Sequence, residues 1–95
     1  MKDKILNWAE ARHLLHPENA LKQYSKLQEE SNELLLSILN KDPYEQIDAI
    51  GDCAVVLIIL ANQLGHDFDK CLESAYDEIK NRTGKTVNGN FVKDI

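Results

Sequence analysis

The chain has 95 residues, 43% hydrophobic and 28% charged, with a net charge of −5. That balance reads as a soluble, folded chain rather than a disordered one, and the length allows one domain at most. Basic residues are scattered except toward the C-terminus, which excludes the basic face of a duplex nucleic-acid binder.

The first helix is predicted over residues 3–15, carried by Ile5, Trp8, Ala9, Arg12 and Leu15. No positively charged start followed by an apolar stretch precedes it, so no signal peptide is visible and a cytoplasmic location is expected. His16-Pro17 interrupts the pattern, and Pro17 suits the first turn of a second helix running to about residue 40. There Ala20, Tyr24, Leu27, Ser31, Leu34 and Ile38 alternate at four-three spacing, the seam of a packed bundle helix.

Asp42-Pro43-Tyr44-Glu45 is a start signal: Asp42 caps, Pro43 fits the first helical position and Glu45 completes a capping box. The third helix places Ile47, Ile50, Ala54, Leu57, Ala61 and Leu64 on one seam. From Cys53 it is apolar on every side, which predicts a central helix packed all round. The run at residues 53–61 is far short of the roughly 20 residues that span a bilayer, so no membrane association is expected. Gly65 stops this helix, and Asp67 caps a fourth to about residue 82, with Phe68, Cys71, Leu72, Ala75 and Ile79 inward. Cys53 and Cys71 lack metal-type spacing and are expected as buried free thiols. Residues 83–95, with an Asn88-Gly89 turn signal, form a tail or short hairpin. The expected fold is all-α: a bundle of about four helices in one domain over residues 1–95. A chain this small cannot cover the third helix alone, so homo-oligomerisation, as a dimer or tetramer, completes it.

Two acidic clusters sit inside these helices. Lys26, Glu30 and Glu33 form a polar stripe on the second, with Glu29 at its border; Asp48 and Asp52 lie one turn apart on the third. Any one of these acids alone reads as part of a solvated face, with pairs such as Lys26–Glu30 worth a few tenths of a kcal/mol. Two acidic faces brought together repel unless a cation lies between them. Oxygen ligands without a histidine or cysteine at matching spacing favour Mg²⁺ or Mn²⁺ over zinc. His13, His16 and His66 read as surface or loop residues.

Glu30-x-x-Glu33, a helix end, a turn, and an acidic group ending in Asp52 resemble the MazG-like branch of the all-alpha nucleoside triphosphate pyrophosphohydrolases. The family pattern is Glu-x-x-Glu followed by Glu-x-x-Asp. The flanks are similar too, from Trp8-Ala9-Glu10-Ala11-Arg12 through residues 23–30 and 48–52. The end, residues 75–85 with Asn88-Gly89-Asn90-Phe91-Val92-Lys93, looks like the small phage-type members. One position departs from the pattern: Ala49 stands where the first acid of Glu-x-x-Asp is expected, and Asp48 precedes it.

The resemblance implies hydrolysis of a nucleoside triphosphate, ribo or deoxy, to monophosphate and pyrophosphate. Glu30, Glu33, Asp48 and Asp52 are the implied Mg²⁺ ligands, and Glu29, Glu30, Glu33 and Asp52 the implied catalytic carboxylates, with Glu29 a candidate base. Lys26, Lys80, Arg82, Lys85 and Lys93 are candidate phosphate partners, and Trp8 is either a base-stacking residue or a core residue anchoring the first helix. Asp77 reads as a helix-surface acid. Ala49 supports a second reading, a helical dimerisation or adaptor protein with weakened catalysis. A phosphoribosyl-ATP pyrophosphohydrolase or an all-alpha dUTPase on the same bundle is a third.

Overall fold

The computed structural model describes residues 1–94, so Ile95 of the C-terminal stretch lies outside the described residues. The elements are α1 (Lys2–Ala11), a 3-10 turn (Pro17–Asn19), α2 (Ala20–Leu39), α3 (Pro43–Gln63), α4 (Phe68–Ile79), β1 (Gly84–Val87) and β2 (Asn90–Lys93). The all-α expectation holds: four helices dominate, and the strands form one antiparallel hairpin. Asn88 and Gly89 both take positive φ, the geometry of the tight two-residue hairpin turn. Gly84 faces this hairpin closely: a Cβ there would collide with the Val92 carbonyl and lie 2.7 Å from the Phe91 ring. Among the described residues no single helix is long and apolar enough to cross a membrane.

Three helices end in the same way, and only one of them uses glycine. Gly65 is in the left-handed region after α3, with its N–H on Asn62 and the next N–H on Ala61. Lys41 does the same after α2 and His13 after α1. These paired bonds satisfy the orphan carbonyls of a helix C-terminus. The turn at His13 is why α1 stops at Ala11 rather than reaching residue 15: a non-glycine in this conformation leaves no sequence signal. Likewise α4 ends at Ile79, short of residue 82.

Asp42 caps α3 as expected, its Oδ1 accepting from the N–H groups of Tyr44 and Glu45 at 3.1 and 3.2 Å. The return half of the capping box is replaced. Asp42 N–H donates instead to Ser37 at the end of α2, joining the two helices into an antiparallel pair. Gln46 reinforces the junction by donating from Nε2 to the Ser37 carbonyl at 3.2 Å. α1 lies across α3, and Lys2 ties it to the start of α4 through Asp67 at 2.6 Å and Asp69 at 3.0 Å.

The core differs from the expected seams. On α3 the buried side chains are Ala49, Val56, Ile58, Ile59 and Gln63, whereas Ile47, Ile50, Ala54, Leu57 and Leu64 are exposed, Ile47 by 72%. On α2, Glu30 and Ser37 are buried while Tyr24, Ser31 and Ile38 are exposed. A helix apolar on every side has no period to say which face its own chain will cover. α4 corrects the expectation further: Phe68 is half-buried, but Cys71, Leu72, Ala75 and Ile79 are exposed. No other element of the described chain lies over that face. The cysteines are correspondingly free but not buried, Cys53 half-buried and Cys71 exposed.

Because Asp42 satisfies two orphan donors at the α2–α3 junction, Asp42→Ala is expected to lose about 1 kcal/mol of stability. Urea unfolding with an unchanged m-value checks this; an unaltered midpoint would contradict the capping role.

Candidate metal and nucleotide site

The helix pair brings the two acidic clusters together. Glu30 and Glu33, one turn apart on α2, meet Asp52 on α3, and one carboxylate oxygen of each lies within 4.8 Å of the others. Glu30 is the unusual member, only 6% exposed. Its Oε1 has Lys26 Nζ at 3.4 Å, but its Oε2 is buried with no hydrogen-bond partner. A buried carboxylate oxygen left unpaired is costly, so the arrangement calls for a positive charge.

The electrostatics agree. The Glu33 carboxyl is pushed above its ordinary pKa, mainly by the charge of Glu30. Asp52 is also raised, first by burial, then by the charges of Asp48 and Glu30. Lys26, held by Glu29 and Glu30, is shifted upward and stays cationic. Two carboxyls raised by their surroundings, beside the buried, partly unpartnered Glu30, form a ready cation site.

The trio opens on a cleft of about 570 Å³, within the usual range for small-molecule sites. Lys22, Gln23, Lys26 and Glu30 of α2 line one wall, and Asp52, Val55, Val56, Ile59 and Gln63 of α3 line the other. Trp8 of α1, with Leu14 and Asn19 from the connection after it, closes the remaining side. Trp8 is 48% exposed, and the Arg12 guanidinium lies 4.3 Å over its ring.

Among the residues singled out from the sequence, Trp8, Lys26, Glu30 and Asp52 therefore share one cleft, with Glu33 beside them. Asp48 is exposed one turn before Asp52, outside the trio yet near enough to raise the Asp52 pKa. Glu29 is exposed and paired with Lys26 at 3.3 Å. Ala49 is buried, 4% exposed, between Gln46 and Asp52 on the face of α3 that meets α2. Lys80, Arg82, Lys85 and Lys93 lie at the end of α4 and on the hairpin, away from the cleft, and Lys80 pairs with the exposed Asp77 at 3.0 Å. Lys22 and Gln63 line the cleft without having been singled out. Lys22 had a signal, its position one turn before Lys26. Gln63 had a weaker one, a polar residue closing an apolar run.

The chain is 42% identical over 69 residues to the "Uncharacterized 18.2 kDa protein in rep-hol intergenic region" of Haemophilus phage HP1, covering 73% of this chain and 41% of that protein. It thus spans about two-fifths of the length of that curated relative. No solved structure matches. The phosphoribosyl-ATP pyrophosphohydrolase family matches residues 7–78, a span that includes every residue of the trio and of the cleft, and the chain belongs to that family.

Proposed function

We propose that the protein is a Mg²⁺-dependent nucleoside triphosphate pyrophosphohydrolase of the MazG-like branch, converting an NTP or dNTP to its monophosphate and pyrophosphate. The observation that carries this reading is the buried, unpartnered Glu30 Oε2 inside an all-carboxylate trio at the edge of a nucleotide-sized cleft. Family membership supports a pyrophosphohydrolase-type activity on nucleotides generally. The family's own description favours phosphoribosyl-ATP as an alternative substrate, which contains the same triphosphate.

The donor set fits a hard divalent cation: three carboxylates, no histidine, no sulfur. Glu30, Glu33 and Asp52, with Asp48 as the proposed fourth acid, would hold Mg²⁺ or Mn²⁺, which would supply charge neutralisation and Lewis acidity to the phosphates. Lys26 and Lys22 offer ammonium groups to the same oxygens from the α2 wall. Trp8 and the apolar wall of Val55, Val56 and Ile59 take the nucleoside. Water oxygen bonds to the α-phosphorus, the bridging oxygen leaves with pyrophosphate, and a carboxylate outside the ligand set, Glu29 or another uncoordinated one, accepts the water's proton. Lys80, Arg82 and Lys85 reach phosphates only from another copy, since α4 and the hairpin do not line this cleft. A homodimer or homotetramer is proposed on the exposed faces of α3 and α4. Sedimentation equilibrium is expected to show it at micromolar concentration, and a stable folded monomer would refute it.

Pyrophosphate release across a panel of NTPs, dNTPs and phosphoribosyl-ATP tests the activity directly; no release from any of them would sink the enzyme reading in favour of an adaptor. Within that assay Asp48→Asn is expected to lower the rate by about a hundred-fold or more while leaving the helix content unchanged. Ala49→Glu is expected to give no gain, because the new carboxylate would enter a buried position on the α2-facing side. A gain from Ala49→Glu with an indifferent Asp48→Asn would instead mark a degenerate site.

The metal has its own signature in stability. Because Glu33 and Asp52 are raised, the metal-free folded chain keeps protons to higher pH than the unfolded chain does. These two groups therefore favour the fold below the ordinary carboxylate range, and that contribution is lost as pH rises through their raised pKa values. Glu33→Gln and Asp52→Asn are expected to raise the metal-free melting temperature at pH 7 and to abolish the gain from Mg²⁺. For the unmodified protein, Mg²⁺ at a hundred times its Kd adds about 2.7 kcal/mol. Acid that protonates the trio removes that gain. Identical melting curves with chelator and with millimolar Mg²⁺ would eliminate the metal site.

A further inference from the structure

Gln63, the last residue of α3, is only 4% exposed. A buried primary amide needs hydrogen bonds for both its ends. One end is satisfied: Nε2 donates to the Leu14 carbonyl at 2.7 Å, across to the connection after α1. Only the nitrogen can donate to a carbonyl, so this bond decides which way round the amide sits. The other atom, Oε1, is buried and has no donor. Gln63 and its partner Leu14 both line the cleft that holds Glu30 and Asp52.

The position along the cleft matters. Gln63 lies eleven residues after Asp52 in one continuous helix, about 16 Å of helix rise away. An extended nucleotide with its phosphates at the carboxylates and its base at the Gln63 end would span that length. Leu14, Asn19 and Ile59 line the cleft together with Gln63.

We infer that Gln63 is a specificity-determining residue: its Oε1 accepts a hydrogen bond from an N–H on the edge of the nucleobase held in the cleft. This rests on the nucleotide reading of the site. The physical logic is that a buried acceptor, completed only by the right ligand, rejects analogues that leave it unpaired. The Leu14 bond holds the amide in place beforehand, so little ordering is required when the base arrives.

The test is calorimetric binding of α,β-methylene nucleoside triphosphates in Mg²⁺ to the full chain, each base beside an analogue lacking its edge N–H. Suitable pairs are adenosine with purine riboside, uridine with N3-methyluridine, and cytidine with N4,N4-dimethylcytidine. For the base that binds tightest, loss of the N–H is expected to weaken binding about ten-fold or more. Gln63→Met, which keeps the length and removes the amide, is expected to bring the two affinities of that pair together. A purely structural Gln63 would lower both affinities alike and leave their ratio intact, and that result overturns the inference. So does equal binding of every pair by the unmodified protein, a comparison that stands even if the variant does not fold. No nucleotide binding at all would overturn both this inference and the proposed function. Discriminating binding without pyrophosphate release would support Gln63 and remove only the proposed hydrolysis.

Discussion

The burial of one carboxylate governs this structure. Glu30 sits where α2 meets α3, at a position a bundle helix would ordinarily give to an apolar side chain, and one of its oxygens has no partner. In a helix pair joined by a three-residue connection, placing Glu30 inward also places Glu33 and Asp52 against it. The pair is kept in register by contacts that do not involve the acids: the Asp42 cap, the Asp42 and Gln46 bonds to Ser37, and the small buried Ala49. These polar anchors let the repulsion among three carboxylates persist in the folded state. The fold is thus stable around a local charge conflict that a cation resolves.

α1 turns that conflict into a cleft. It is tied to the start of α4 through Lys2, whose pKa is raised chiefly by its hydrogen bonds to Asp67 and Asp69, while Asp67 is lowered by the same contact. At the other end of α1, the left-handed His13 reverses the chain and returns Leu14 to the cleft wall, where its carbonyl meets Gln63. Carboxylates at one end, an amide acceptor at the other, an apolar wall between them and lysines along α2 make a site graded from anionic to apolar over one helix length. With a cation on the carboxylates, such a gradient would suit the proposed nucleotide, whose own charge is concentrated at one end.

The exposed apolar residues of α3 and α4 belong to the same economy of size. Ile47, Ile50, Leu57, Leu72 and Ile79 remain open among the described residues. A domain below 100 residues has little surface left with which to bury a helix that is apolar on every side. The trio and the cleft are formed within one chain.

Much of this was determined by the sequence alone, because it depends on local chemistry. The helix starts at Pro43 and Phe68 follow from Asp42 and Asp67, the hairpin turn from Asn88-Gly89, and the pairing of Glu30 with Glu33 from one-turn spacing. The meeting of that pair with Asp52 needed only two adjacent antiparallel helices. Other features arose from contacts between residues far apart in the chain, which no spacing rule encodes. Which face of α3 is buried was decided by α1 and α2, since its own apolar pattern favours none. The end of α1 at Ala11 was decided by a left-handed histidine, and the place of Gln63 by a bond to Leu14, forty-nine residues away. The burial of Glu30 was likewise a tertiary outcome: its spacing marks a polar stripe, and only packing against α3 withdraws one of its oxygens from water.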